Sequence, residues 1–162
     1  MFVTLYEMKY LILENIRSAY NVGSMYRTAD GAGVDKIFLV GYTPAPIDRF
    51  GRPQSEIAKT SLGACDKIPW EQSSEMEEVI TSLQSEGFTV AGVELTEESI
   101  SLKDFSIPEK VAYIMGNEVT GVEKQTLELC DVVVYLPMLG SKESLNVATT
   151  ASIVVYHDLL QK

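Results

Sequence analysis

Short apolar runs alternate with amphipathic stretches from one end of the chain to the other, and this alternation restricts the fold more than any other feature. Residues 10–16 (YLILENI) form the first run, rich in leucine and isoleucine and followed by polar residues, and read as a buried strand. Val22, Met25, Tyr26 and Ala29 then fall at i, i+3, i+4 and i+7. They predict a helix with one buried stripe, beginning near Val22 with Asn21 at the cap position and stopping at Gly31-Ala32-Gly33. Residues 37–40 read as the next strand. The loop over 41–57 carries Pro44, Pro46 and Pro53 and is too long for a mere connector. A short helix over 58–62 follows, then a helix from Ser74 with Met76, Val79, Ile80 and Leu83 on one face and Gly87 as its stop. Strands over 88–95, 111–115 and 132–136, a helix over 122–129 and a final helix from about Leu145 complete the pattern. The expected fold class is α/β, a mostly parallel sheet with helices on both faces, in which ligands collect at the carboxyl ends of the strands. No repeat or composition break divides the 162 residues, so one domain over 1–162 is expected, long enough to bury a core without disulfide or metal staples.

Several classes of function are excluded early. No run approaches the length of a membrane span, and the start, MFVTLYEMKY, lacks the basic-then-apolar layout of a signal peptide, so a cytoplasmic protein is expected. Two cysteines, Cys65 and Cys130, without CxxC spacing, and a single His argue against a disulfide framework or a bound metal. Neither GxGxxG between a strand and a helix nor GxxxxGK[ST] is present. The net charge of −10 argues against a polyanionic partner until it is divided along the chain. Residues 1–67 hold eight basic groups against seven acidic ones; residues 68–162 hold five against sixteen. All four arginines precede residue 53, and arginine is the side chain suited to bidentate phosphate contact.

Three clusters carry residues able to do chemistry. In Asn21-Val22-Gly23-Ser24-Met25-Tyr26-Arg27-Thr28-Ala29, the polar Asn21, Ser24 and Thr28 share a face flanked by Arg27, a surface able to grip a phosphate. Gly116-Asn117-Glu118-Val119-Thr120-Gly121 directly follows an apolar strand, and its two glycines permit a tight turn around a carboxylate. Leu136-Pro137-Met138-Leu139-Gly140 and Ser144-Leu145-Asn146-Val147-Ala148 offer an apolar wall for an aromatic base, with polar anchors beside it. Each cluster also has a plain structural reading: Asn21 and Ser144 as helix caps, the glycine turn as a strand-to-helix connection, and Arg27 as a solvated side chain.

Taken in order, NVGSMYRTADGAGV, IMGNEVTGV and LPMLGSKESLNVA resemble the three signature motifs of the SpoU or TrmH-like branch of the SPOUT RNA methyltransferases. The stretch from GYTPAPIDRFGRP to AKTSLGA is similar to the linker of small bacterial members, so the resemblance spans nearly the whole chain. It implies a catalytic domain without an accessory RNA-binding domain, a C-terminal deep trefoil knot, a homodimer, and S-adenosylmethionine bound in the knot. The implied reaction is methyl transfer to a ribose 2′-hydroxyl of tRNA or rRNA. On this resemblance Gly116, Leu136, Met138 and Leu145 line the cofactor pocket, with Thr96 at the end of the preceding strand. Arg27, Asn21, Glu118, Ser144 and Asn146 surround the reacting centre. The third motif ends in Ala148, where many relatives have serine.

Arginine stays protonated in proteins, so Arg27 is expected to bind the neighbouring phosphate and stabilise the developing alkoxide rather than act as a base. Arg17, Arg27, Arg49, Arg52 and Lys59 are expected to form a small basic RNA track on an otherwise acidic surface. Binding to bare RNA is then weak and salt-sensitive, and recognition narrow or assisted by a partner protein. Two rival readings are a catalytically silent knotted protein that holds cofactor or RNA, and a nucleotide-binding α/β regulator. The second lacks any phosphate loop.

Overall fold

The computed structural model describes residues 7–161; the opening residues 1–6, expected to carry no signal peptide, lie outside the described residues. Seven strands run as β1 (Met8–Glu14), β2 (Lys36–Val40), β3 (Trp70–Ser73), β4 (Thr89–Val93), β5 (Ile100–Ser101), β6 (Lys110–Met115) and β7 (Val132–Tyr135). Five helices separate them: α1 (Ala19–Ala32), α2 (Ser55–Ser61), α3 (Met76–Ser85), α4 (Lys124–Leu129) and α5 (Val147–Gln161). One sheet in the order β3-β2-β1-β6-β4-β7-β5 contains all seven strands, and every pairing between them is parallel. Strand order reverses between β1 and β6, and in such sheets the crevice at that switch point receives ligands.

The two-residue period of the strands divides the core between the faces of the sheet. Leu11 and Leu13 of β1, with Ile37, Leu39, Tyr113 and Met115, pack on Val22, Met25 and Tyr26 of α1 and on Ala151 and Val155 of α5. On the other face Ile12, Phe38 and Ile114 meet Val79, Ile80 and Leu83 of α3. Each fully buried side chain of this size contributes roughly 1.5–3 kcal/mol relative to exposure.

Lys9 shares a strand face with Leu11 and Leu13, and it too is buried. Its Nζ lies 2.6 Å from Asp158 Oδ1 and donates to the carbonyls of Val155 (2.7 Å) and Ala32 (3.4 Å). The first strand is thereby tied to the ends of α1 and α5.

Two strands, β3 and β5, were not foreseen from the sequence, and several boundaries differ. The first strand starts at Met8 and ends at Glu14 rather than spanning 10–16. The first helix starts at Ala19, capped by Ser18, whose Oγ accepts from the Asn21 backbone N–H (3.2 Å). Asn21 is thus inside the first turn, and its side chain is free for other work. Its stop is as expected, with Gly33 left-handed at φ 69°. The last helix begins at Val147, and Asn146, not Ser144, caps it: Asn146 Oδ1 accepts from the N–H groups of Ala148 (2.9 Å) and Thr149 (3.3 Å).

Glu14 ends β1 as a buried carboxylate that accepts from Glu123 N–H (2.9 Å) and from the Thr126 hydroxyl, holding the start of α4. Burial raises its pKa, against the opposing hydrogen bonds from Thr126 and Glu123. A raised carboxylate pKa means that the folded chain holds the proton more tightly. Its stabilising effect is complete below the unfolded pKa and is lost as pH rises through the folded one. Glu14→Gln is therefore expected to gain stability relative to the native chain over the pH range above the ordinary carboxylate value of about 4.3. Denaturant titrations across that range check this, and a pH-independent difference would refute it.

Candidate active site

The site lies where the carboxyl ends of β1, β6, β4 and β7 meet the amino ends of α1 and α5. At its centre Glu118, in the turn after β6, reaches across to the start of α1. Its carboxylate accepts from the backbone N–H of Arg17 (2.9 Å) and Ser18 (2.9 Å) and from Asn21 Nδ2 (3.1 Å). Burial opposes its ionisation, but these hydrogen bonds outweigh burial and bring its pKa below the usual carboxylate value. Asn21 Oδ1 in turn accepts from Asn146 Nδ2 (3.3 Å). A single polar chain, Glu118 to Asn21 to Asn146, therefore links all three sequence clusters. The α1 face bearing Asn21 continues to Thr28, whose Oγ1 lies 2.9 Å from Ser152 Oγ on α5.

Beside this chain opens a cavity of about 350 Å³ lined by residues including Gly116, Glu118, Leu136, Met138, Ser144 and Leu145. Such a volume is within the range of small-molecule sites. Its wall is apolar where Val93, Leu95, Leu136 and Met138 contribute, and Glu94, Glu118 and Glu143 are the charged residues of the lining. Among the described residues, no lysine or arginine lines it.

Backbone close approach shapes the turn after β6. A Cβ on Gly116 would come within 2.2 Å of Val122 N and 2.3 Å of the Gly121 carbonyl carbon, so residue 116 must be glycine for that crossing. Gly121, at φ 73°, faces Glu94, whose carboxylate accepts from Val122 N–H (3.1 Å) and Leu95 N–H (3.0 Å). Asn117, buried, fastens the same turn. Its Oδ1 accepts from the N–H groups of Val119 (2.8 Å) and Thr120 (3.0 Å), while its Nδ2 donates to Asn15 O and Tyr42 Oη, both at 2.9 Å. Gly116→Ala is expected to destabilise the domain by about 1–3 kcal/mol, the usual cost of overpacking. A lowered denaturation midpoint checks it, and an unchanged midpoint would contradict this account of the turn.

The expected residues divide as follows. Asn21, Glu118 and Asn146 are joined by hydrogen bonds, and Gly116, Leu136, Met138 and Leu145 line the cavity together with Ser144. Thr96 is not in the lining; it lies beyond Leu95 in a turn where its N–H donates to Ser99 Oγ (2.9 Å). Arg27 is exposed on α1, outside the lining and without an ion pair among the described residues. Arg17, Arg49 and Lys59 are likewise exposed and unpaired, whereas Arg52 bonds Asp48 through Nη2 at 2.8 Å. Sequence reasoning missed Glu94 and Asn117. The second had a signal, since an Asn followed two and three residues later by free N–H groups forms an Asx turn.

Parallel α/β topology, a cavity at the strand ends and a polar chain joining three loops define a ligand-binding α/β domain built around residues 14–21, 93–96, 115–122 and 136–147. The model of the SpoU rRNA Methylase family matches residues 8–156, and the chain belongs to that family. The chain is 32% identical over 145 residues to the 23S rRNA (guanosine-2′-O-)-methyltransferase RlmB of Neisseria meningitidis, covering 90% of this chain and 55% of the relative. It is 31% identical to RlmB of Ralstonia nicotianae, covering 94% and 58%. It thus spans a little over half the length of these curated relatives. Among solved structures, the AdoMet-bound rRNA methyltransferase of Sinorhizobium meliloti superposes with a TM-score of 0.85 at 26% identity, covering 95% of this chain and 56% of that one. The A. aeolicus TrmH/SpoU tRNA modifying enzyme shares the fold, with a TM-score of 0.82 at 20% identity and coverage of 97% and 78%.

Proposed function

We propose that this chain transfers a methyl group from S-adenosylmethionine to a ribose 2′-hydroxyl of RNA. The observation that carries the reading is the hydrogen-bonded chain Glu118–Asn21–Asn146 beside the cavity, since a shared polar network between three segments distant in sequence has a geometric task. The cavity fits the cofactor in chemistry: an apolar wall for an adenine and three carboxylates, without a cation among the described residues, for a ligand whose sulfonium and ammonium outnumber its single carboxylate. Gly116, Leu136, Met138 and Leu145 would hold it, with Leu95 taking the place expected of Thr96. When bound, S-adenosylmethionine supplies an electrophilic methyl group.

The chain's own residues prepare the acceptor. Glu118 and Asn146 fix Asn21, so these three act as positioning residues at the start of α1. Arg27 binds the phosphate beside the target ribose and stabilises the alkoxide as the hydroxyl proton passes to that phosphate or to water. Because Arg27 lies outside the cavity of its own chain, we assign it to the cavity of a second copy in a homodimer. The trefoil knot belongs to the same reading, with residues 136–147 carrying the chain from β7 to α5. Cytoplasmic RNA is the substrate pool; the RlmB relatives are named for 23S rRNA and the A. aeolicus enzyme for tRNA.

Mass spectrometry of 2′-O-methylated nucleosides in RNA from cells with and without the gene tests the activity and names the RNA class. Calorimetry with S-adenosylmethionine tests the cavity, and absence of binding sinks the proposal. The exposed position of Arg27 outside the cavity favours one second reading, a silent knotted protein. Cofactor binding without methyl incorporation would support it.

A further inference from the structure

The loop over residues 41–54 presents two aromatic rings to solvent, Tyr42 at 62% and Phe50 at 66% exposure. Neither ring is packed, yet both are held. The Tyr42 hydroxyl accepts from Asn117 Nδ2 (2.9 Å), and its backbone N–H donates to Asn15 Oδ1 (3.3 Å). Asn117 also lines the cavity, so the Tyr42 hydroxyl is tied to the turn that borders it.

Phe50 sits at the tip of a turn organised by Asp48. The Asp48 carboxylate accepts from the N–H groups of Phe50 (2.8 Å) and Arg52 (3.0 Å) and from Arg52 Nε (2.8 Å). Hydrogen bonding, led by the Arg52 N–H, keeps that carboxyl below its ordinary pKa. Pairing of Ile47 with Pro53 closes the turn below. The guanidinium carbons of Arg49 and Arg52 lie 4.8 Å and 5.0 Å from the Phe50 ring centroid. The result is an ordered, exposed aromatic ring with two guanidinium groups close by, that of Arg52 oriented by Asp48 and that of Arg49 without an ion pair among the described residues.

That combination selects a ligand. An apolar protein surface would have to desolvate two guanidinium groups, and an acidic peptide has no use for the ring. A base-paired helix offers phosphates but no free base face. An unpaired nucleotide offers both a planar face for the ring and phosphates for the cations. We propose that the 41–54 loop is a single-stranded RNA clamp, in which Phe50 stacks on an unpaired base, Arg49 and Arg52 contact its phosphates, and the exposed Tyr42 ring stacks on a second base. The proposal rests on the RNA methyltransferase reading and narrows its substrate to a target within an unpaired stretch.

Fluorescence anisotropy with a short labelled unstructured oligoribonucleotide, and with the same strand annealed to its complement, tests this. The native protein should prefer the single strand. Phe50→Ala should weaken single-strand binding by about 5- to 150-fold, the range carried by base–aromatic stacking, with little effect on the duplex. Phe50→Tyr should retain the affinity, and calorimetry with S-adenosylmethionine should give the same affinity for Phe50→Ala as for the native chain, which verifies folding. Unchanged single-strand binding in Phe50→Ala, equal loss on the duplex, or no native preference for the single strand overturns the proposal. Failure of the native protein to bind S-adenosylmethionine would overturn the methyltransferase reading instead, and the oligonucleotide comparison would still judge the loop.

Discussion

Replacing Arg27 with alanine is expected to lower methyl transfer to the cognate RNA by about 100- to 1,000-fold, the effect typical of removing one preorganised group that stabilises transition-state charge. The affinity for S-adenosylmethionine should change little, because Arg27 is outside the lining of its own chain's cavity and is assigned to the RNA phosphate and the 2′-oxygen of the acceptor rather than to the cofactor. Nor should folding suffer, since the side chain is exposed and makes no ion pair among the described residues. Single-turnover methylation and cofactor calorimetry on the same preparation separate the two effects. Arg27→Lys should recover little, because an ammonium lacks the planar fork that grips a phosphate through two hydrogen bonds. Mixing the Arg27→Ala chain with a chain whose cavity is disrupted at Gly116 should restore activity that neither has alone if the arginine serves the partner. Full activity in Arg27→Ala would remove it from the mechanism altogether.

Lys9→Met is the change expected to cost most in stability, about 3–5 kcal/mol, because it leaves Asp158 as an uncompensated buried charge. The side chains of this pair are 5% and 8% exposed, and the lysine also satisfies two carbonyls at the ends of α1 and α5. In a domain of this size such a loss lowers the melting temperature by roughly 6–20 °C. The double variant Lys9→Met with Asp158→Leu should recover most of it, since replacing both partners by apolar groups removes the unpaired charge. Calorimetric melting of the two variants decides the matter. A Lys9→Met chain that melts like the native one would show that the pair contributes nothing.

Lys9 also shows why sequence reading stops where it does. A lysine among alternating residues at the start of a strand reads as solvated, and the partner that buries it lies 149 residues away. The apolar runs that became β1, β2, β4, β6 and β7 were visible because those strands are central and buried on both faces. β3 and β5 were not: Trp70–Ser73 reads WEQS, Ile100–Ser101 has only two residues, and both are edge strands defined by their pairing rather than their composition. In the site, Asn21, Glu118 and Asn146 could be picked out from their motifs. Their contact could not, because it spans 97 and 125 positions and depends on the strand order. The family resemblance puts Thr96 at the cavity, at the end of the preceding strand; the strand ends at Val93, and the chain turns after Leu95. The carboxylate of Glu94 matters because a glycine turn from another strand crosses it, which no local pattern announces.

The tie between β1 and α5 also bears on the order of events during synthesis. The wall formed by Leu145, Val147 and Thr150 follows every strand of the sheet along the chain, so the strands are synthesised before it. Loop-closure entropy rises only with the logarithm of length, so the distant contact adds little to the thermodynamic cost, but non-local contacts slow the search. The cavity is complete only after the start of α5 has docked beside the ends of β4, β6 and β7. On the proposed reading, cofactor capture is therefore a test of finished folding: a nascent chain with its sheet assembled but α5 not yet docked lacks the cavity wall that would hold a methyl donor.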